Sequence, residues 1–215
     1  MTIQSKIGWL VAVALALSAG AAQAQMTEVP ASAEAQQGVE RYFSECDGAV
    51  LDGDAEPEPR EYELTFAESY DPSRVRRMRL VEYMCFRGAY NFGFSYLLGE
   101  MEGPLVPIQF AFPEVDITYA KDADGEEDWE TVERIDITGF VARDDIINPS
   151  LDYQTMTITS FGKGRGIGDY FSSATWAFRE GRFVLIGYVM DASLDGEQEP
   201  QLDVSFGPPL ANAAQ

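Results

Sequence analysis

WAFREGRFVLIGYVM, residues 176–190, decides the fold. Trp176 and Phe178 share one face of a strand that runs into Glu180-Gly181, a two-residue turn signal. On the return, Phe183, Leu185 and Val189 alternate with Val184, Ile186, Tyr188 and Met190. Both faces of that strand are apolar, so the pattern places it deep inside a sheet or barrel.

The same period of two runs outward from this hairpin. Tyr62, Leu64 and Phe66 alternate with charged or small residues, as in a strand with one wet face. Further strands are predicted at 77–86, 91–98, 105–112, 115–119, 130–141, 154–161, 174–179 and 182–190. Turn signals at 99–104, Asp124-Gly125 and Asn148-Pro149 separate several of them. One helix is predicted over about 32–46. Ala35, Val39, Tyr42, Phe43 and Cys46 lie on its apolar face, Ser32 is its N-cap and Asp47-Gly48 its stop. Residues 51–60 are acidic and proline-bearing and read as a loop. The fold class is mainly β: an antiparallel sandwich or barrel-like domain with one short N-terminal helix.

The ends read differently. Lys6, the apolar run 7–19 and Ala22-Gln23-Ala24 make a cleavable signal peptide over 1–24. The expected mature chain, 191 of the 215 residues, is one exported β-rich domain over 25–195. It opens on a short polar leader, 25–31, and ends in a mobile tail over 196–215. The destination is the periplasm or the outside of the cell. No later stretch is apolar enough for a membrane helix.

Charge and residue absences narrow the chemistry. The full chain carries a formal −21, and Lys6 is the only charge in the leader, so the mature domain carries −22. Such a surface repels nucleic acid and anionic lipid and attracts a cationic protein. There is no histidine, which removes Ser-His-Asp and Cys-His catalysis and the commonest transition-metal ligand. Cys46 and Cys85 are the only cysteines. In an oxidising compartment they read as one disulfide, tying the helix to a strand. No metal site and no cofactor is called for.

Several fragments resemble motifs without completing them. Ser160-Phe161-Gly162-Lys163 fits Ser-x-x-Lys, but the Ser-Asp-Asn and Lys-Thr-Gly partners are missing. Asp122-Ala123-Asp124-Gly125 has a calcium-loop look, yet Ala120 and Thr131 stand at ligand positions, so an acidic hairpin tip is the better reading. The loop 162–169 is glycine-rich, with Lys163, Arg165 and Asp169. Its freed backbone N–H groups and two cations can hold an anion, or it is a tight turn. Arg74, Arg76, Arg77 and Arg79 concentrate cations in an acidic chain. They either receive an acidic partner or neutralise carboxylates of the fold, and the abundance of acids favours the second.

A set of these fragments, in order, carries a resemblance. Gly88-Ala89-Tyr90-Asn91 follows Cys85, then come Asn148-Pro149-Ser150-Leu151-Asp152, the stretch from Ser160 to Asp169, Trp176 and Gly181-Arg182-Phe183. Over roughly 78–192 the chain resembles the bacterial family called domain of unknown function 1176. The resemblance implies export and a cysteine-containing domain. It assigns no activity, so no functional residue carries over. Tyr170-Phe171 stand where the family has Cys-Gly, and Asp191-Ala192-Ser193 where it has another cysteine. A second disulfide thus reads as dropped as a unit.

The candidate ligand-binding residues are Lys163, Arg165, Asp169, Tyr90 and Asn91, the last two either ligand-facing or a buried turn. The functional expectation is a monomeric, non-catalytic binding or structural module of the cell envelope, with inhibition of a cationic protein as its concrete form. The alternatives are an envelope hydrolase using paired carboxylates and a small-ligand carrier.

Overall fold

The structure is a computed structural model that describes residues 24–46 and 57–207. The predicted signal peptide up to residue 23, the predicted helix stop at 47–48, most of the predicted loop 51–60 and the end of the predicted tail therefore lie outside the described residues.

Two antiparallel sheets face each other. The first has the order β1 (Gln25–Val29), β2 (Arg60–Ala67), β3 (Val75–Arg87), β4 (Phe92–Glu100) and β5 (Val106–Pro107), and β8 (Asp145–Ile147) also pairs with β4. The second has the order β13 (Leu202–Ser205), β12 (Arg182–Asp191), β11 (Phe171–Arg179), β10 (Thr157–Lys163) and β9 (Ser150–Asp152). Between β5 and β8, both partners of β4, the chain makes a long two-stranded ribbon, β6 (Phe110–Lys121) and β7 (Glu127–Arg143). The architecture is sandwich-like and not a closed barrel.

The core lies between the sheets. Tyr62, Leu64 and Phe66 of β2, Leu80 of β3 and Tyr96 of β4 meet Ile158, Trp176, Phe178 and Leu185 from the opposite sheet. Phe110 and Phe112 enter from the ribbon and pack edge-on against Trp176, whose indole N–H donates to the Ala111 carbonyl at 3.0 Å. Burying aromatic side chains of this size contributes ~2–3 kcal/mol each relative to exposure.

The decisive hairpin forms as its sequence predicts. Arg179 faces Arg182, and Glu180 and Gly181 both take positive φ, 51° and 84°, as a type I′ turn requires. The return strand departs from simple alternation. Thr175 faces Gly187 while Trp176 faces Leu185, so Ile186 is an extra residue on β12. The bulge changes the parity, and Leu185, Tyr188 and Met190 all point into the core. The other face of β12 is half-buried rather than deep.

The helix α1 (Ala33–Tyr42) is shorter than predicted but capped as read: the Ser32 hydroxyl accepts from the Ala35 N–H. It lies on the outer face of the first sheet, where Ala35 and Val39 meet Val81, Leu97 and Leu105. The approach is close: a Cβ on Gly38 would sit 2.6 Å from Leu97 Cδ1. The wet face predicted for β2 is therefore partly covered. Glu61 is buried there, accepting the Ser32 N–H at 2.7 Å beside Arg79. Cys46 and Cys85 form the disulfide, closing a separation of 39 residues. Cys85 is the bulged residue of β3, between the Met84–Phe94 and Phe86–Gly93 pairs. The chain-entropy model gives a loop of that length ~4 kcal/mol.

Three segments differ from the sequence reading. The leader forms β1, with Met26 in the core. The strands predicted at 115–119 and 130–141 form, but longer than read, as the 12- and 17-residue partners of the ribbon. The segment read as a mobile tail contributes β13, paired with β12 through Tyr188–Val204.

Candidate functional site

The glycine-rich loop, the Gly88–Asn91 turn and Asn148 come together at one end of the sandwich. Asn148, in a left-handed conformation (φ 43°), accepts the Phe92 N–H at 2.9 Å. Its amide donates to the carbonyls of Phe161 (3.0 Å) and Tyr90 (3.1 Å) and to Asn91 Oδ1 (3.2 Å). The Asn91 side chain continues β10 as a strand partner would. Its Nδ2 donates to the Lys163 carbonyl at 2.8 Å, and its Oδ1 accepts the Lys163 N–H at 3.1 Å. The Tyr90 hydroxyl donates to the Gly164 carbonyl. These bonds tie both side chains to the fold, while Tyr90 itself stays exposed and Asn91 half-buried.

Arg165 and Asp169 are also spent on the fold. Arg165 holds both carboxylate oxygens of buried Asp169 and donates to the Leu194 carbonyl at 2.8 Å. Asp169 further accepts the N–H groups of Tyr170 and Gly196. Nor is the loop backbone an open anion nest. Gly164 N–H donates to Tyr170 O, and Gly168 N–H to Arg165 O. Ser160 is buried and three positions from Lys163 on one strand, so their side chains leave opposite faces of β10. The Ser-x-x-Lys fragment therefore brings no nucleophile to a lysine.

Lys163 has a different setting. It lines a cleft of about 600 Å³ between the ribbon and β10–β12. Arg143 enters the same cleft from the end of β7, its guanidinium 4.8 Å from the centre of the Phe112 ring. Tyr170, Ser172 and Tyr188 add hydroxyls, Val115, Val141 and Met190 add apolar wall, and Glu114 is the single carboxylate of the lining. Burial pushes the Tyr188 phenol above its usual range, so it is a neutral hydrogen-bonding group. Neither cation forms an ion pair with a carboxylate of the described residues.

Elsewhere charge is consumed. Arg74 and Arg76 face buried Glu68, Arg77 pairs with Glu63 at 2.5 Å, and Arg79 lies near Glu61 and Glu34. The arginine run thus neutralises carboxylates of the fold. Glu82 is buried between the Tyr96 hydroxyl (2.6 Å), the Tyr62 hydroxyl (3.3 Å) and Arg60. Desolvation raises its pKa, which the two phenols and Arg60 oppose. The segment 122–126 is a hairpin tip: Asp122 Oδ1 caps the N–H groups of Asp124 and Glu126, and Gly125 takes φ 85°. Among the described residues no group of three or more Asp, Glu or Cys is placed to hold a metal ion.

Sequence reasoning located Lys163 but missed Arg143, Ser172 and Tyr188 as its neighbours. A β-strand gives no local signal of which distant strand it will face. Asn148 was legible as half of an Asn-Pro turn signal and as part of the family resemblance, but not as the residue that ties these turns together.

No curated protein matches the chain, and no solved structure does. The family model described as protein of unknown function (DUF1176) matches residues 15–205, well beyond the 78–192 on which the resemblance was first read, and the chain belongs to that family.

Proposed function

We propose that the protein is an exported, non-catalytic binding module of the cell envelope, and that the β6–β7 ribbon receives a cationic protein. The ribbon carries this reading. Between positions 114 and 136 ten acids stand against two cations, and Asp116 lies directly opposite Asp136 across the strands. Arg134 pairs with Asp136 at 2.8 Å, which offsets part of the like-charge repulsion in that register, and the excess of acids along the ribbon leaves charge for a cationic surface to meet. Trp129, half exposed beside Asp128 and Glu130, adds the kind of aromatic anchor that interface hot spots use. The apolar leader run and Ala22-Gln23-Ala24 support export, and the disulfide supports an oxidising compartment. Inhibition of a cationic enzyme such as a lysozyme is the concrete form, with charge steering accelerating association.

The hydrolase alternative has less support. It needs two carboxylates facing a substrate, whereas the cleft lining holds one, Glu114, and the carboxylate with a raised pKa, Glu82, is sealed under Tyr62 and Tyr96.

The test is capture of cationic envelope proteins, and inhibition of lysozyme, by mature protein at low salt and at about 0.3 M, where screening is shorter-ranged. A quadruple variant, Asp116→Asn, Trp129→Ala, Glu133→Gln and Asp136→Asn, provides the comparison. Salt-sensitive binding lost in the variant is expected. Equal capture by both proteins, or none by either, overturns the proposal.

A further inference from the structure

We infer that the cleft between the ribbon and β10–β12 is a binding site for a small organic anion, a carboxylate or phosphate monoester with an apolar body. This does not rest on the ribbon's reading, which concerns acidic groups facing solvent.

The argument begins with charge. In a chain of formal charge −21, this cleft gathers Arg143 and Lys163 against Glu114 alone. Seven other arginines show what the fold does with a guanidinium near carboxylates: Arg60, Arg74, Arg76, Arg77, Arg79, Arg134 and Arg165 are all paired. Arg143 and Lys163 instead share one cleft, brought there from different strands. Arg143 is steadied on the Phe112 ring, which leaves its N–H edge for a ligand. The Lys163 backbone is fixed by Asn91, so its side chain leaves from a defined point.

The rest of the lining sets the ligand class. Gly162 and Gly164 put no side chain into the cleft beside Lys163. Ser172, Tyr170 and Tyr188 offer neutral hydrogen-bonding groups, and Val115, Val141 and Met190 form an apolar wall. Two cations, a few hydroxyls and an apolar wall suit an anion joined to a hydrocarbon or ring. A volume of about 600 Å³ is ample for a ligand of that size.

The experiment uses methyl NMR on the mature protein, with hexanoate and phenyl phosphate as probes and hexanamide as the neutral control. Both anions should shift the methyl signals of Val115, Val141 and Met190, and hexanamide should not. A response to one anion alone tells carboxylate from phosphate and still supports the site. Arg143→Met and Lys163→Met should each weaken binding about tenfold or more, the loss of one charge contact. Because Arg143 also packs on Phe112, the Lys163 variant decides if the other is misfolded. The quadruple ribbon variant should bind the anions unchanged, which separates failure of this site from failure of the ribbon. The inference is overturned by no shift at these methyls up to about 10 mM of either anion, by equal response to hexanamide, or by unaltered affinity in Lys163→Met.

Discussion

The two ends of the charge distribution follow opposite rules. In the first sheet, buried acids are matched: Glu61 with Arg79, Glu68 with Arg74 and Arg76, Glu82 with Arg60 and two tyrosines. Along the ribbon, ten acids share two cations between positions 114 and 136; Arg134 pairs with Asp136, and Asp116 stands opposite that pair. Burial explains the contrast. A carboxylate removed from water needs a partner, while an exposed one keeps its hydration and is free to meet another molecule. In the first sheet, matched charge therefore marks buried groups of the fold.

The largest test of that contrast is Arg79→Met. It keeps much of the packing but leaves Glu61, 2% exposed, without its nearby cation, and should cost about 3 kcal/mol in urea unfolding. Asn148→Ala follows closely. It strands the Phe92 N–H and the carbonyls that Asn148 serves, and a loss of about 2–3 kcal/mol is expected in the same assay. A loss below about 0.5 kcal/mol in both would erase the distinction between spent and unspent polar groups.

Glu82→Gln sharpens the comparison through pH. Burial raises the folded pKa of Glu82 above its ordinary value of 4.5. The folded state therefore binds the proton more tightly than the unfolded chain does. That contribution is fully present below the unfolded value and is lost as pH rises through the raised folded value. Glutamine does not titrate, so the variant should gain stability relative to the parent as pH rises across that window. A difference that stays flat between about pH 4 and 7 would remove the titration from the account.

Smaller effects belong to the surface. Arg77→Met breaks an ion pair whose partners are 54% and 26% exposed, and should cost less than about 1 kcal/mol. Asp116→Thr removes the repulsion with Asp136 and should stabilise the ribbon by a few tenths of a kcal/mol, ~0.3 by thermal melting. Destabilisation there would mean that the opposed acids are held by a contact of the fold.

The legible parts of the sequence were those governed by near neighbours. The Glu180-Gly181 hairpin, the Ser32 cap and the strand character of most of the chain follow from turn chemistry and period-two patterning. The arginine run was also legible as internal neutralisation, because acids outnumber cations by 36 to 15. Misreadings came where a strand is polar and gains its stability from a distant partner. Residues 25–29 look like a leader because Met26 is their one core residue. Residues 202–205 look like a tail because only β12 gives them a place.

The candidate site divided in the same way. Glycines, Tyr90, Asn91, Lys163, Arg165 and Asp169 stood out by composition, yet four of the five side chains are consumed by hydrogen bonds to the fold. Lys163 kept its charge for the cleft. By itself the sequence determined a cysteine pair suited to bridging, an acidic β-rich domain and a histidine-free chemistry, because composition and local periodicity fix those. Only the tertiary structure decided that Arg143 meets Lys163, that Asn148 ties three turns together, and that bulges at Cys85 and Ile186 choose which side chains face inward. Sheet register joins residues dozens of positions apart, and a one-residue shift in it turns every later side chain to the opposite face.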